Sequence, residues 1–160
     1  MTEDVLITVT GLHAVNGEED QENEVEITSA GKYYKKNGKH FVIYDEVQQE
    51  TGDIIKNRLK LSKGAMEIRK TGPMKTSMVF ENGKKNMSWY GTPYGNMLAG
   101  IEVTQMEMQE SEDVIDVNIE YILEMNYEHV SDAAIHIRIM AKDSGLFRLL
   151  NAQHGNGSRK

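Results

Sequence analysis

Val114–Glu128 reads VIDVNIEYILEMNYE, and the alternation in this stretch decides the fold class. Ile115, Val117, Ile119, Tyr121, Leu123, Met125 and Tyr127 share one parity, while Asp116, Asn118, Glu120, Glu124, Asn126 and Glu128 occupy the other. Strict period two of this kind marks a strand with one buried face and one wet face. The run is long for a strand, which predicts curvature or a bulge. The next segment, Ala133–Lys142, repeats the pattern. Ile135, Ile137 and Ile139 lie on one side, and His136, Arg138 and Lys142 on the other. His129–Asp132, HVSD, is the predicted hairpin connection between the two. The odd-numbered residues of both segments are expected to face the core.

The same reading extends upstream. Val5–Leu12, Glu24–Lys35, Lys39–Gln49, Ile54–Ser62, Ala65–Thr71, Thr76–Glu81, Asn86–Tyr90 and Leu98–Gln109 all read as strands. Turn residues separate them: Asn37-Gly38, Thr51-Gly52-Asp53, Lys63-Gly64, Gly72-Pro73 and Asn82-Gly83. Asn-Gly between alternating runs is a strong hairpin signal. Both prolines, Pro73 and Pro93, fall in connections, where a missing N–H costs no ladder bond. Regular strands with no amphipathic helix between them predict an antiparallel all-β fold, and about eight to ten of them favour an up-and-down barrel over a small sandwich. One helix is expected, a short C-terminal one over Ser144–Asn151. Ser144 would cap it, and Leu146, Phe147, Leu149 and Leu150 would cover a barrel end. The acidic run Glu18–Glu24 is expected to be a solvated loop. No repeat or linker divides the chain, so residues 1–160 are expected to form a single domain.

Composition narrows the function classes. The 160 residues include no Cys, which excludes disulfides and thiolate chemistry. The formal net charge of -7 argues against a nucleic-acid partner, because affinity for phosphates is built from Lys and Arg. The opening MTEDVLITVTG has neither a basic n-region nor a long apolar run, so no secretory signal is expected. No stretch approaches about 18 uncharged apolar residues, so no membrane span is expected. A cytoplasmic location follows as the expectation.

The chain shows no recognisable catalytic constellation. It has no G-x-S-x-G elbow, no H-E-x-x-H, no P-loop and no dinucleotide fingerprint. His13, His40, His129, His136 and His154 have no metal-ligand spacing. The expectation is therefore no enzyme, no metal and no cofactor. More informative are polar residues that share parity with apolar ones. Asp45 keeps company with Phe41, Ile43 and Val47, and Asn57 with Ile55, Leu59 and Leu61. Either they line a wet cavity, or bulges flip the parity there. The ten methionines, Met97, Met106 and Met108 among them, suit irregular interior spaces.

Three segments carry a family resemblance: Gly31–Glu46 (GKYYKKNGKHFVIYDE), Met66–Gly72 (MEIRKTG) and Trp89–Gly95 (WYGTPYG). Together, in this order, they resemble the YwiB-like family, a bacterial domain of unknown function, and the resemblance covers nearly the whole chain. It rests on Tyr44 and Glu46, on Arg69 and Gly72, and on Thr92, Pro93, Tyr94 and Gly95. The resemblance implies a closed calycin-like barrel, similar in shape to lipocalins and fatty-acid-binding proteins. It implies no activity.

An eight- to ten-stranded barrel has room for about one small molecule or for packed side chains. The leading expectation is a non-enzymatic protein that binds a small apolar or anionic ligand in the barrel interior or mouth. Its candidate residues are Tyr44, Glu46, Arg69, Tyr90, Thr92 and Tyr94, with Arg69 as anchor for an anionic group. The alternative for Arg69 is an ordinary ion pair with Glu46 or a neighbouring glutamate. The alternative for the protein is an interaction module, a homodimer without ligand, docking through a strand edge or the Trp89/Tyr90 surface.

Overall fold

A computed structural model describes residues 3–11, 26–48, 50–73, 75–92 and 94–142. The predicted helix over Ser144–Asn151 and the acidic run Glu18–Glu24 lie outside these residues. Ten strands follow one another: β1 (Asp4–Thr10), β2 (Glu26–Lys36), β3 (Lys39–Val47), β4 (Ile54–Ser62), β5 (Ala65–Thr71), β6 (Lys75–Glu81), β7 (Lys85–Thr92), β8 (Gly95–Glu110), β9 (Val114–Met125) and β10 (Glu128–Ala141). Each pairs antiparallel with its sequence neighbours, and β1 closes the barrel against β10. Closure leaves no unpaired edge strand, the liability of open sheets.

Alternation places the core as expected from Ile115 to Leu123 and from Ile135 to Ile139, but Tyr127, expected inside, is 75% exposed because it forms the turn after β9. Ile115, Val117, Ile119, Tyr121 and Leu123 of β9 are buried, as are Ile135, Ile137 and Ile139 of β10. They meet Val5, Ile7 and Val9 of β1, Leu59 and Leu61 of β4, Met66 and Ile68 of β5, and Phe80 of β6 in one apolar cluster. Apolar side chains therefore fill the middle of the barrel. Within this cluster Phe80 packs edge-to-face on Tyr121, with ring centroids 5.2 Å apart.

The bulges fall elsewhere than expected. β9 itself keeps an unbroken register with β8 as far as Tyr121, where the ladder slips on the β8 side, between Val103 and Gln105. The slip flips the parity of β8. Ala99, Ile101 and Val103 face inward before it, and Met106 and Met108 pack on the core after it. The Thr104 hydroxyl donates to the Glu120 carbonyl at 3.1 Å. A second bulge, between His129 and Ser131, sits where the hairpin connection was predicted. The turn is instead Asn126-Tyr127, both with positive φ (52° and 68°), the backbone that a two-residue hairpin needs. The Asn126 side chain holds it, its Oδ1 accepting from the Leu98 N–H at 3.1 Å.

β3 also corrects the sequence reading. Asp45 does not face the core. The inner parity is His40, Val42 and Tyr44, and Phe41, though buried, lies on the outer surface. Phe41 stacks there on Tyr34 (4.9 Å, 7°) under the Arg58 guanidinium (5.4 Å), so an outer residue is buried by its neighbours rather than by the core.

Candidate functional site

Most of the inner surface is apolar, but one row crosses it with a different chemistry. The strand registers place Gly31, Tyr44, Asn57, Lys70, Thr76, Tyr90 and Met97 side by side on successive strands from β2 to β8. All seven lie on the inner parity of their strands. The row runs near the barrel end formed by the β3–β4, β5–β6, β7–β8 and β9–β10 connections. Gly31 makes room for it. A Cβ there would lie 3.1 Å from the Ile43 carbonyl oxygen and 3.3 Å from Cβ of Tyr44, tighter than ordinary contact.

Glu46, two residues beyond Tyr44 on β3, points at the row. Its Oε1 accepts from Asn57 Nδ2 at 2.9 Å and from Lys70 Nζ at 2.8 Å. Both charged side chains are about four-fifths buried (18% and 20% exposed), so each needs the other. Asn57 is 1% exposed. Because its amide nitrogen is committed to Glu46 and, at 3.4 Å, to the Ile55 carbonyl, its Oδ1 is the remaining acceptor. That oxygen is buried and takes no hydrogen bond. Such an acceptor costs roughly 1–3 kcal/mol unless a donor reaches it.

The expected site residues separate. Tyr44, Glu46 and Tyr90 converge on this row. Arg69 does not: it faces outward, 56% exposed, and donates to Glu67 Oε2 at 3.0 Å. Met66 and Ile68 hold the inner parity of β5, so the next inward position is Lys70. The cation of the site is thus one residue along from the expected one, and sequence reading missed it. The parity of Met66 and Ile68 was the signal that could have found it. Thr92 ends β7, paired with Gly95 across the turn. Tyr94 stands 98% exposed in that turn, and Gly95 takes φ +119° to complete it. Trp89 is on the outer parity, 63% exposed. Of the described side chains of the WYGTPYG segment, Tyr90 joins the row, while Trp89 and Tyr94 lie exposed. Among the described residues no cluster of His, Asp or Glu could hold a metal ion. No helix of the described residues is long and apolar enough to cross a membrane.

Residues 7–137 match the family model described as "Domain of unknown function (DUF1934)". The chain belongs to the DUF1934 family. A search of curated proteins finds no match. Among solved structures the chain is similar to the ywiB protein from Bacillus subtilis, with a TM-score of 0.70 over 87% of this chain and 92% of that one. At 19% identity this likeness concerns the fold.

Two phenols of the polar row of this DUF1934 domain, Tyr44 and Tyr90, and the core phenol Tyr121 are made poor acids by their environment. Burial pushes the Tyr44 hydroxyl well up, with the Glu46 charge adding to it. Burial and Glu46 also raise Tyr90. Tyr121 is pushed up to about 12, by burial first and Tyr90 second. A phenol whose folded pKa exceeds its unfolded value of about 10 stays protonated in the fold while the unfolded chain ionises. The unfolded state then binds fewer protons, so stability falls as pH rises. The expected result is full stability below about pH 10 and a steep loss between about pH 10 and 12, where Tyr121 alone accounts for roughly 2–3 kcal/mol. Urea melts across that range, with phenolate absorbance followed in parallel, check it. A flat profile to pH 12 would mean that these phenols ionise freely in the fold.

A second polar group lies at the other end of the barrel. His40, 3% exposed, shares a 2.7 Å hydrogen bond between its Nδ1 and the Tyr33 hydroxyl, and its Nε2 lies 3.4 Å from Glu110 Oε1. Glu110 reaches β3 from the far end of β8 because the bulge at Thr104 has turned that end inward. The group ties the two sides of the barrel together.

Proposed function

We propose that this protein is a non-enzymatic binding protein that holds one small ligand at the barrel end occupied by Tyr44, Glu46, Asn57, Lys70 and Tyr90. The observation that carries this reading is the Asn57 Oδ1 atom, buried and without a donor beside a buried ion pair. A site with fixed polar groups set among apolar and aromatic walls is the usual make-up of a small-molecule pocket. Lys70 is already neutralised by Glu46, which favours an uncharged ligand with a hydroxyl or amide N–H for Asn57 and an apolar body for the phenols. The same reading takes the barrel as calycin-like, the protein as cytoplasmic and the chemistry as binding alone.

The test is native mass spectrometry of the purified protein, together with thermal shifts over a panel of small alcohols, amides, carboxylates and fatty acids. A donor-bearing ligand should raise the melting temperature of the parent. Asn57→Leu, close in volume but without the acceptor, should abolish the response while remaining folded. No bound molecule and no shift with any compound would sink the reading.

One observation favours a second reading, a protein-interaction module. Val47, Ile54, Tyr94 and Tyr127 around this mouth are each more than half exposed, as is Trp89 on the outer wall nearby. Aromatic anchors of this kind are enriched at protein interfaces. Sedimentation of the parent and of Trp89→Ser would separate the readings. A dimer dissociated by the substitution would support the module.

A further inference from the structure

The charge of the chain is not spread evenly. Residues 32–75 carry eleven Lys and Arg against five Asp and Glu, whereas the remaining residues carry seven against twenty. The fold turns this uneven sequence into two walls. The outer face of β8 and β9 presents Glu102, Glu107, Asp116, Glu120 and Glu124. The outer face of β2 to β5 presents Lys32, Lys56, Arg58, Lys60 and Arg69, with the carboxylates Asp45 and Glu67 among them. Register places Lys32, Ile43, Arg58 and Arg69 in one row across β2, β3, β4 and β5, with Lys60 beside Phe41 in the next. Register sets Asp45 beside Lys56 and Glu67 beside Lys60, but among the described residues no carboxylate lies within ion-pair distance of Lys56, Arg58 or Lys60, while Lys32 pairs with Asp4 and Arg69 with Glu67.

Aromatic planes stand within this basic wall. Tyr34 and Phe41 are stacked at 4.9 Å with 7° between their rings, and the Arg58 guanidinium sits 5.4 Å from the centroid of Phe41. Tyr34 remains 38% exposed. Cations that track a phosphate backbone, interleaved with flat side chains on which bases can stack, are what a single-stranded nucleic acid needs from a protein surface. A folded acidic protein would use the charges but has no particular use for a ready-made stack of planes.

We propose that the outer face of β2–β5 binds single-stranded nucleic acid, with Lys56, Arg58 and Lys60 on phosphates and the Tyr34–Phe41 stack under a base. The whole-chain charge that argues against such a partner is an average over two opposed walls. Charge on the far wall, a barrel diameter away, is screened at physiological salt, where the Debye length is about 8 Å. The surface is separate from the barrel mouth, so this proposal stands or falls independently of the small-ligand reading.

Fluorescence anisotropy of labelled oligo-uridine and oligo-thymidine against the intact protein, over about 50 to 200 mM salt, tests it. The parent should bind, with log affinity falling linearly in log salt by about 0.7 per phosphate engaged. Arg58→Gln with Lys60→Gln should weaken binding and flatten that slope by about 1.4, two phosphate contacts' worth. Tyr34→Leu should weaken binding about 5- to 100-fold and leave the slope unchanged, because stacking releases no counterions. Glu107→Gln with Glu120→Gln, on the other wall, should leave the slope as it is. Melting curves check that every variant stays folded, above all those at Arg58 and Tyr34, which cover Phe41. No binding at the lowest salt, or an unchanged slope in the Arg58/Lys60 variant, would overturn the proposal. Equal competition by polyglutamate or by anionic phospholipid vesicles would overturn it too, since the wall would then be reading charge alone.

Discussion

Phe80→Ala should lower stability by about 3–5 kcal/mol, the usual cost of deleting a phenyl ring from a well-packed core. Phe80 is fully buried in the apolar cluster of the barrel, against Tyr121. Its replacement removes apolar contact and leaves a cavity that the surrounding strands, tied into a closed ladder, cannot collapse to fill. The measurement is a urea melt of parent and variant, with the slope checked for constancy so that a midpoint shift can be read as stability. The result bears on function as well. A loss near the upper end means that the middle of the barrel is solid, and any small ligand must sit at the mouth with Tyr44 and Asn57. A loss below about 1 kcal/mol would mean that Phe80 fills its space loosely, since tight cores return the full cavity cost. That outcome would reopen the interior as a binding volume.

The fold was legible because the strands that carry the core are one-sided. β9 shows its inner face in every second letter from Ile115 to Leu123, and nothing in its neighbours disturbs it. β3 was misread for an equally local reason. Phe41 is apolar on the outer parity because Tyr34 and Arg58 cover it from outside, a contact that no single-strand pattern contains, and Ile43 beside it is simply exposed. That drew Asp45 into the expected interior. The reading of Asn57 survived because Leu59 and Leu61 set the parity of β4 without competition. The site was half legible. Tyr44 and Glu46 carry the resemblance and Tyr90 lies in the aromatic segment beside the turn, but Arg69 stood in for Lys70, since an arginine is the more conspicuous anion ligand and the parity of Met66 and Ile68 is a weaker signal. The bulge at Thr104, which decides that Met106, Met108 and Glu110 turn inward, shows in the sequence only as a change of apolar parity, from Ile101 and Val103 to Met106 and Met108 across Thr104-Gln105. A slip of one residue is fixed by cross-strand pairing, and it reverses every side chain beyond it.

Lys70→Met should be the most damaging change among the polar residues, at about 2–4 kcal/mol. It takes the Lys70 ammonium away from Glu46, which keeps Asn57 as a hydrogen-bond donor, in a place where four-fifths of its side chain is covered. Removing one member of a buried pair costs about 3–5 kcal/mol, because the survivor keeps its desolvation penalty and loses its compensation. The lower figure allows for the fifth of each side chain that water reaches. Two further measurements separate this cause from a mere packing defect. Adding Glu46→Gln to Lys70→Met should restore most of the loss, since the neutral amide has no charge to compensate and can still accept from Asn57. A non-additive cycle of this kind is the signature of direct coupling. The deficit should also shrink on acidification. A buried carboxylate stripped of this cation has its pKa raised above the unfolded value, so the folded chain takes up a proton before the unfolded chain does. Stability of Lys70→Met then rises, relative to the parent, as pH falls from 7 towards about 4.3, the ordinary value for Glu. If the double variant is as unstable as the single one and the deficit ignores pH, the two residues do not form the pair at the heart of the proposed site. Asn57, held in place by Glu46, would then lose its role as the fixed acceptor for a ligand.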